Sequence, residues 1–294
     1  DITERKHAEK TAQLARQAAE HELQIGRRIQ ADFLPEALPQ PEGWEIESYF
    51  RAAREVSGDF YDAFPLSGGK RIGLVVGDVC DKGVGAALYM ALFRSLIRAF
   101  ADQHYSLSWM DVLGNGTSKT GQGSTVEGRR AMLSPGATAL KSAIQLTNNY
   151  ILQNHGRTNM FATIFFGVLD TGTGSLLYIN CGQEPPLVIG PAGIKRSLDP
   201  TGPAVGLWPD LDFNIGQVDL EPGNILLITT DGLLDSTDPQ GNFFGEERVL
   251  ALASQPAESA KALLERLQQS STEHAAGQNQ YDDITMMAVR REIQ

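Results

Sequence analysis

The chain has 294 residues, 41% of them hydrophobic, which is length and apolar content enough for one large domain or two small ones around a real core. A formal charge of −11 excludes wrapping nucleic acid or lying on an anionic membrane unless a strong basic patch exists, and the sequence offers none. The apolar stretches fall short of the roughly 20 residues that span a bilayer, and DITERKHAEK is too polar for a signal peptide, so a folded, cytoplasmic protein without membrane insertion is expected.

From Asp1 to about Phe33 the sequence is dense in Ala, Glu, Gln, Lys and Arg, has no Gly before Gly26 and no Pro before Pro35, and reads as one long helix. Leu14, Ala18, Ile25 and Ile29 lie near one face, a thin stripe that suits either a packed lone helix or a dimerising coiled coil. Prolines at 35, 39 and 41 stop the helix, so residues 1–41 form a helical linker and residues 42–294 a second domain. In that domain residues 44–50 alternate with the period of a strand, residues 72–76 read as a buried strand, and residues 83–101 as a helix with Leu88, Leu92, Leu96 and Ile97 on one side. Residues 114–128 (GNGTSKTGQGSTVEG) have no apolar period and read as a mobile loop. A helix over 137–152, strands over 161–169, 176–180 and 225–229, a helix over 260–269 and a closing strand over 285–290 complete the chain, with no internal repeat. Cys80 and Cys181 are far apart and lack metal-type spacing, which fits a reduced compartment.

Acids recur where these strands end. Asp78 follows the run at 72–76, Asp231 follows 225–230 and precedes Gly232, Asp282 and Asp283 sit at the start of the last strand, and Asp59 and Asp62 lie in EVSGDFYD. An ionised carboxylate beside a packed core is costly unless paired, and too few Lys or Arg lie nearby to neutralise them all. An oxygen-only set without a Cys or His cluster favours a hard cation, Mn²⁺ or Mg²⁺, over zinc. Two such ions about 3.5–4 Å apart, sharing a carboxylate, are a standard means of activating water against phosphorus, which points to phosphoester hydrolysis. Taken singly, an Asp beside Gly after a strand is usually a turn or cap; the recurrence carries the argument. Asp81 reads as a cap for the helix starting near Gly83, and Asp62 as a surface turn residue. A dinucleotide loop at GVGAAL fails because Leu88 occupies the third small position and Asp78 and Asp81 would face a pyrophosphate. The five histidines show no i, i+4 pair, no G-x-S-x-G elbow is present, and Asp210-Leu211-Asp212 follows a Trp-Pro turn instead of a strand.

Six segments in order, over roughly residues 44–291, resemble the PPM family of metal-dependent serine/threonine protein phosphatases in its bacterial SpoIIE and RsbU branch. They are 54–62 (REVSGDFYD), Gly77-Asp78-Val79 with Lys82-Gly83-Val84, 160–163 (MFAT), 181–186 (CGQEPP), Thr230-Asp231-Gly232 and Asp282-Asp283-Ile284-Thr285. The resemblance implies an α+β fold of two packed antiparallel β-sheets flanked by α-helices, with two ions held at one edge between the sheets. By motif position Asp78 bridges both ions, Asp231 and Asp282 hold the first, and Asp59 with the carbonyl of Val79 holds the second, with Asp283 as the alternative to its neighbour. Arg54 stands where some members bind the substrate phosphate, or is a surface ion-pair residue. Cys80-Asp81 replaces the usual Ser-Gly and Gln183-Glu184 the usual His-Asn; neither pair is a metal position. The opening residues resemble the end of a PAS sensor domain leading into a signalling helix, which implies an upstream sensor, pairing of the helix with a second copy, and a phosphorylated anti-anti-sigma protein of the STAS type as substrate. A catalytically weak partner-binding module and a nucleotide cyclase are the rivals; the first has no need of the full set of acids, and the second lacks base-recognition residues.

Overall fold

The computed structural model describes residues 2–114 and 135–293. The long helix α1 (Ile2–Phe33) leads through the proline-rich turn into β1 (Trp44–Arg51), β2 (Phe60–Leu66) and β3 (Arg71–Val79). Two helices follow, α2 (Val84–Gly114) and α3 (Pro135–His155), then β4 (Ala162–Asp170), β5 (Ser175–Cys181), β6 (Leu187–Gly190), β7 (Gly193–Ser197), β8 (Gly216–Asp219) and β9 (Ile225–Thr229). Helices α4 (Glu246–Ala253) and α5 (Ala260–Ala275) precede the last strand, β10 (Ile284–Arg291). The strands form two five-stranded antiparallel sheets, ordered β1-β10-β9-β6-β7 and β2-β3-β4-β5-β8. This is the α+β architecture that the resemblance implies.

Three apolar layers follow from the period of two along each strand. Ile72, Leu74 and Val76 of β3 meet Leu226 and Ile228 of β9 and Met287 and Val289 of β10 between the sheets. Alternate residues of β2 to β5 pack outward on α2 and α3, and those of β9 and β10 outward on α4 and α5. Ser259 caps α5 by accepting from the Ala262 N–H, and Glu45 of β1 accepts from the N–H groups of Ala260 and Lys261, which ties the helix start to the sheet.

Several sequence expectations change. Of the side expected to face inward on α2, Ile97 is buried and Leu92 and Leu96 pack against the core, but Leu88 is 67% exposed, because the buried face is centred on Ala86, Met90, Phe93, Ile97 and Ala101. This helix also runs on to Gly114, so the expected loop at 114–128 lies, beyond its first residue, outside the described residues. Residues 84–103 are, by length and composition alone, apolar enough to cross a membrane, contrary to the sequence expectation; the helix packs one face on sheet β2-β3-β4-β5-β8 and on α3. Residues 60–66, 187–190, 193–197 and 216–219 are strands and 246–253 a helix that the sequence had not marked. Asp81 has a positive φ of 72°, and its carboxylate accepts from the Lys82 N–H instead of capping the helix.

Asp62 is not a surface turn residue. It lies in β2 with the same parity as Phe60 and Phe64, so it faces α2, where Arg94 and Arg98 reach it at 2.9 and 3.1 Å and leave it 1% exposed. Replacing Asp62 with Ala strands a largely buried guanidinium at Arg94, and should cost about 3 kcal/mol in denaturant unfolding. Arg98→Ala, at the exposed end of the cluster, should cost about 1 kcal/mol or less.

Candidate metal centre

The inter-sheet layer turns polar at one end. Asp78 continues the inward series Ile72, Leu74, Val76; Thr230 continues Leu226 and Ile228; Thr285 and Asp283 precede Met287 and Val289 in the same parity. Gly77 must lack a side chain because a Cβ there would lie 2.6 Å from the Phe60 ring, and this close stacking places Asp59 beside Asp78. Gly58 is likewise small by necessity, since a Cβ would sit 2.8 Å from the carbonyl oxygen of Val79. Its own carbonyl accepts from the Val79 N–H at 3.3 Å, so the loop before β2 lies against the end of β3.

Asp59 is buried, and its Oδ2 accepts from the hydroxyls of Thr230 at 2.8 Å and Thr285 at 2.6 Å. Asp59 and Asp78 lie close enough for each to affect the other's charge. Asp231 opens a short 3₁₀ turn, Asp231–Leu233, directly after β9 and Thr230. The adjacent acids before β10 divide their tasks. Asp282 forms an ion pair with Lys82 at 2.8 Å and lies close enough to Asp78 and Asp231 to repel both. Asp283 instead uses both oxygens to hold the segment leading to β2, accepting from the Ala53 N–H at 2.7 Å, the Ser57 hydroxyl at 2.7 Å and the Gly58 N–H at 3.0 Å. Lys82 also donates to the Tyr281 carbonyl at 3.0 Å, with its ammonium 4.1 Å from the Tyr281 ring centre. Arg54 is exposed and lines a cleft of about 620 Å³ with Arg51, Gln280 and Tyr281, beside the acids and not among them.

Crowding shows in the protonation of these groups. Burial, then the charge of Asp78, pushes Asp59 well above the ordinary carboxylate range. Burial, then the charges of Asp231 and Asp282, raises Asp78 to about 7. Asp231 is raised by burial, then by Asp282 and Asp235, and Glu184 by burial, then by Asp231. The sequence reading did not mark Glu184 or Asp235 as neighbours of the centre, nor Thr230 and Thr285 as its braces; the alternation of inward residues was the available signal for the threonines.

Among the described residues no three His, Cys, Asp or Glu side chains close on a single point; the Thr230 and Thr285 hydroxyls hold Asp59 and an ion pair holds Asp282. Its chemistry fits a hard divalent cation nonetheless: the donors are oxygens only, Asp59, Asp78 and Asp231 are all raised by burial and by neighbouring acids, and the one described cation paired with the set, Lys82, reaches Asp282 alone. Asp59, Asp78, Asp231 and Asp282, with the Val79 carbonyl beside Gly58, are the residues that could supply ligands.

Two measurements follow from this geometry. The metal-free folded chain holds more protons on these acids than the unfolded chain between about pH 4, where unfolded Asp titrates, and about pH 7, where Asp78 does. Stability from those protons is complete below the lower value and lost as pH rises through the upper one. The melting temperature of metal-free protein should fall between about pH 5.5 and about pH 8, and Asp78→Asn should fall less. Gly232 packs so closely on the last strand that a Cβ would lie 1.9 Å from the Asp283 carbonyl oxygen. Gly232→Ala should therefore shift residues 282–283 and cost about 2 kcal/mol in unfolding, in the range of overpacked cores.

Comparison with known proteins agrees with this geometry. The family model described as Stage II sporulation protein E (SpoIIE) matches residues 68–292. Protein IcfG of Synechocystis sp. is 42% identical over 281 residues, covering 92% of this chain and 41% of that protein. The phosphoserine phosphatase RsbP of Bacillus subtilis is 25% identical over 218 residues, covering 74% of this chain and 46% of that protein. The chain thus spans less than half the length of these two relatives. Among solved structures, the SiaA-PP2C domain of Pseudomonas aeruginosa shares the fold with a TM-score of 0.68 at 20% identity, covering 94% of this chain and 98% of that one. A match over more than half of the chain, on a two-sheet fold with its acids gathered at one end, shows that the chain belongs to the SpoIIE family.

Proposed function

We propose that this chain is a Mn²⁺- or Mg²⁺-dependent phosphatase that removes phosphate from serine or threonine of a regulatory protein of the STAS anti-anti-sigma type. The observation that carries the reading is that Asp59 and Asp78 at the end of one sheet and Asp231 and Asp282 at the end of the other lie close enough to repel one another, with Lys82 the one described cation paired to the set, at Asp282. A pair of divalent ions, when bound there, supplies the positive charge for a phosphoryl group and a water acidic enough to attack at neutral pH.

The chain's own residues set the rest. Asp78, central to the set, is the bridging candidate, and its raised titration means that it gives up a proton on binding a cation. Asp282, with one oxygen on Lys82 and one on the Asp283 N–H, is the ligand of the adjacent pair, while Asp283 has both oxygens engaged by residues 53, 57 and 58 and acts as a brace. The Ser57, Thr230 and Thr285 hydroxyls beside these acids are fully buried and bonded to Asp283 or Asp59, out of a substrate's reach, which supports direct attack by water without a phospho-enzyme. Arg54, at the mouth of the neighbouring cleft, is placed to meet the substrate's phosphate or flanking chain.

RsbP is by name a phosphoserine phosphatase, and its kinship supports the choice of phosphorylated side chain. The exposed Leu14, Ile25, Ile29 and Phe33 on α1 support pairing of this helix with a second copy, under an upstream PAS-like sensor. A change in that pair would then shift the population of a metal-competent arrangement around Asp59 and Asp78.

The test is phosphate release from a phosphoserine protein during a Mn²⁺ titration. Turnover should rise with Mn²⁺, vanish with chelator, and fall in Asp78→Asn by more than the roughly 100-fold that substitutions behind a metal ligand reach. A folded protein that binds Mn²⁺ yet releases no phosphate at any concentration would remove the hydrolase reading.

A further inference from the structure

We infer that Gln30 is a positioning residue, the side chain through which α1 sets the geometry of the acidic centre. The inference deepens the proposal of a metal centre governed by this helix. Among the residues of α1 whose side chains are described, 4–33, Gln30 alone is buried. Its amide makes both of its hydrogen bonds to the backbone of one residue: Nε2 donates to the Ser57 carbonyl at 2.5 Å, and Oε1 accepts from the Ser57 N–H at 2.9 Å. One turn earlier on the same face, Gly26 lies beside Val56, whose side chain would be in ordinary contact, at 3.6 Å, with a Cβ at that position. The helix therefore grips residues 56 and 57 with a small residue and an amide spaced i, i+4.

What Ser57 touches gives the contact its meaning. Its hydroxyl donates to Asp283 Oδ2 at 2.7 Å and accepts from the Asp59 N–H at 3.0 Å. The path from α1 to a candidate ligand thus runs through a single residue, and from α1 to the last strand through the same one. Segment 53–59 has no regular structure of its own; Asp283, the Val79 N–H and the threonines on Asp59 hold it from the side of the sheets, and Gln30 holds it from the side of α1. Only a carboxamide of this length presents a donor and an acceptor side by side to the C=O and N–H of Ser57. Asn is one methylene shorter, and Glu offers acceptors alone, so it keeps the bond from the Ser57 N–H and sets like against like at the carbonyl. Without Gln30, Ser57 loses both partners of its peptide groups, and Asp59 loses the fixed hydroxyl that orients its backbone.

The experiment compares the full chain with Gln30→Ala, Gln30→Glu and, as a control on the exposed face of the same helix, Gln17→Ala. Two quantities are read: Mn²⁺ binding by calorimetry, and hydrogen–deuterium exchange of metal-free protein over peptides spanning 53–59. Gln30→Ala should weaken Mn²⁺ binding about tenfold or more, the effect of removing a partner behind a metal ligand, and should speed exchange at 53–59 while the strands keep the parent's protection. Gln30→Glu should fall between, and Gln17→Ala should match the parent. If Gln30→Ala does not fold, Gln30→Glu, which retains size and one bond, decides by the same two readouts. Unchanged binding and exchange in the Gln30 variants, or loss of protection spread across the whole domain, would overturn the assignment. If the parent itself binds no Mn²⁺, the metal-centre reading fails, and the exchange comparison still decides whether Gln30 holds the segment.

Discussion

Carboxylates gathered in a poorly hydrated pocket repel one another, and the polar architecture at this end of the molecule is arranged to hold them together. Asp59, the most deeply placed, has two threonine hydroxyls on a single oxygen, and those hydroxyls come from the other sheet. Such bonds stabilise the charged form and fix its direction, yet burial and the neighbouring acids still raise Asp59, so the balance favours a proton or a cation. Lys82 answers only part of the demand. It stands 28% exposed at the rim, pinned by the Tyr281 carbonyl and ring, and reaches Asp282 without entering the set.

This arrangement also determines how the sheets are aligned. Elsewhere they meet through Leu, Ile, Val and Phe, and contacts of that kind tolerate small slides at low cost. Directional bonds cross between the sheets at the acidic end: Thr230 and Thr285 to Asp59, residues 53 to 58 to Asp283, and Gln183, which accepts from Thr163 and donates to the Thr229 carbonyl. A slide of an ångström that the apolar layer would absorb would break several of these. The spacing of Asp59 and Asp78 on one sheet from Asp231 and Asp282 on the other is therefore set where the chemistry requires it.

Much of this was legible in the sequence, for identifiable reasons. Asp78 and Asp231 stand out because each ends a long apolar run, and a charge at the end of a buried strand needs an explanation. The division of labour between Asp282 and Asp283 was not legible, because it depends on bonds to residues more than 220 positions away in sequence. Asp62 misled because local sequence cannot show that two arginines of α2 wait opposite it. Leu88 misled because in α2 the alanines and large side chains at 86, 90, 93, 97 and 101 form the centre of the face that fits the sheet, with Leu92 and Leu96 at its edge and Leu88 outside it. Strands of four or five residues such as β6, β7 and β8 carry too few alternations to register as a period.

The glutamine of α1 belongs to the same class of hidden feature, and its setting explains why a polar contact suits that place. A helix exposed along nearly its whole described length buries little apolar surface, so little free energy holds it against the domain. An apolar contact in the same position would fade gradually as the helix turned or shifted, because packing energy is spread over many weak contacts. A pair of hydrogen bonds to the N–H and C=O of one residue behaves differently: it is made within a few tenths of an ångström and a few tens of degrees, and lost outside them. On the reading proposed here, that steepness lets a weakly held helix act sharply on residues 57 to 59 without adding much to the stability of the fold.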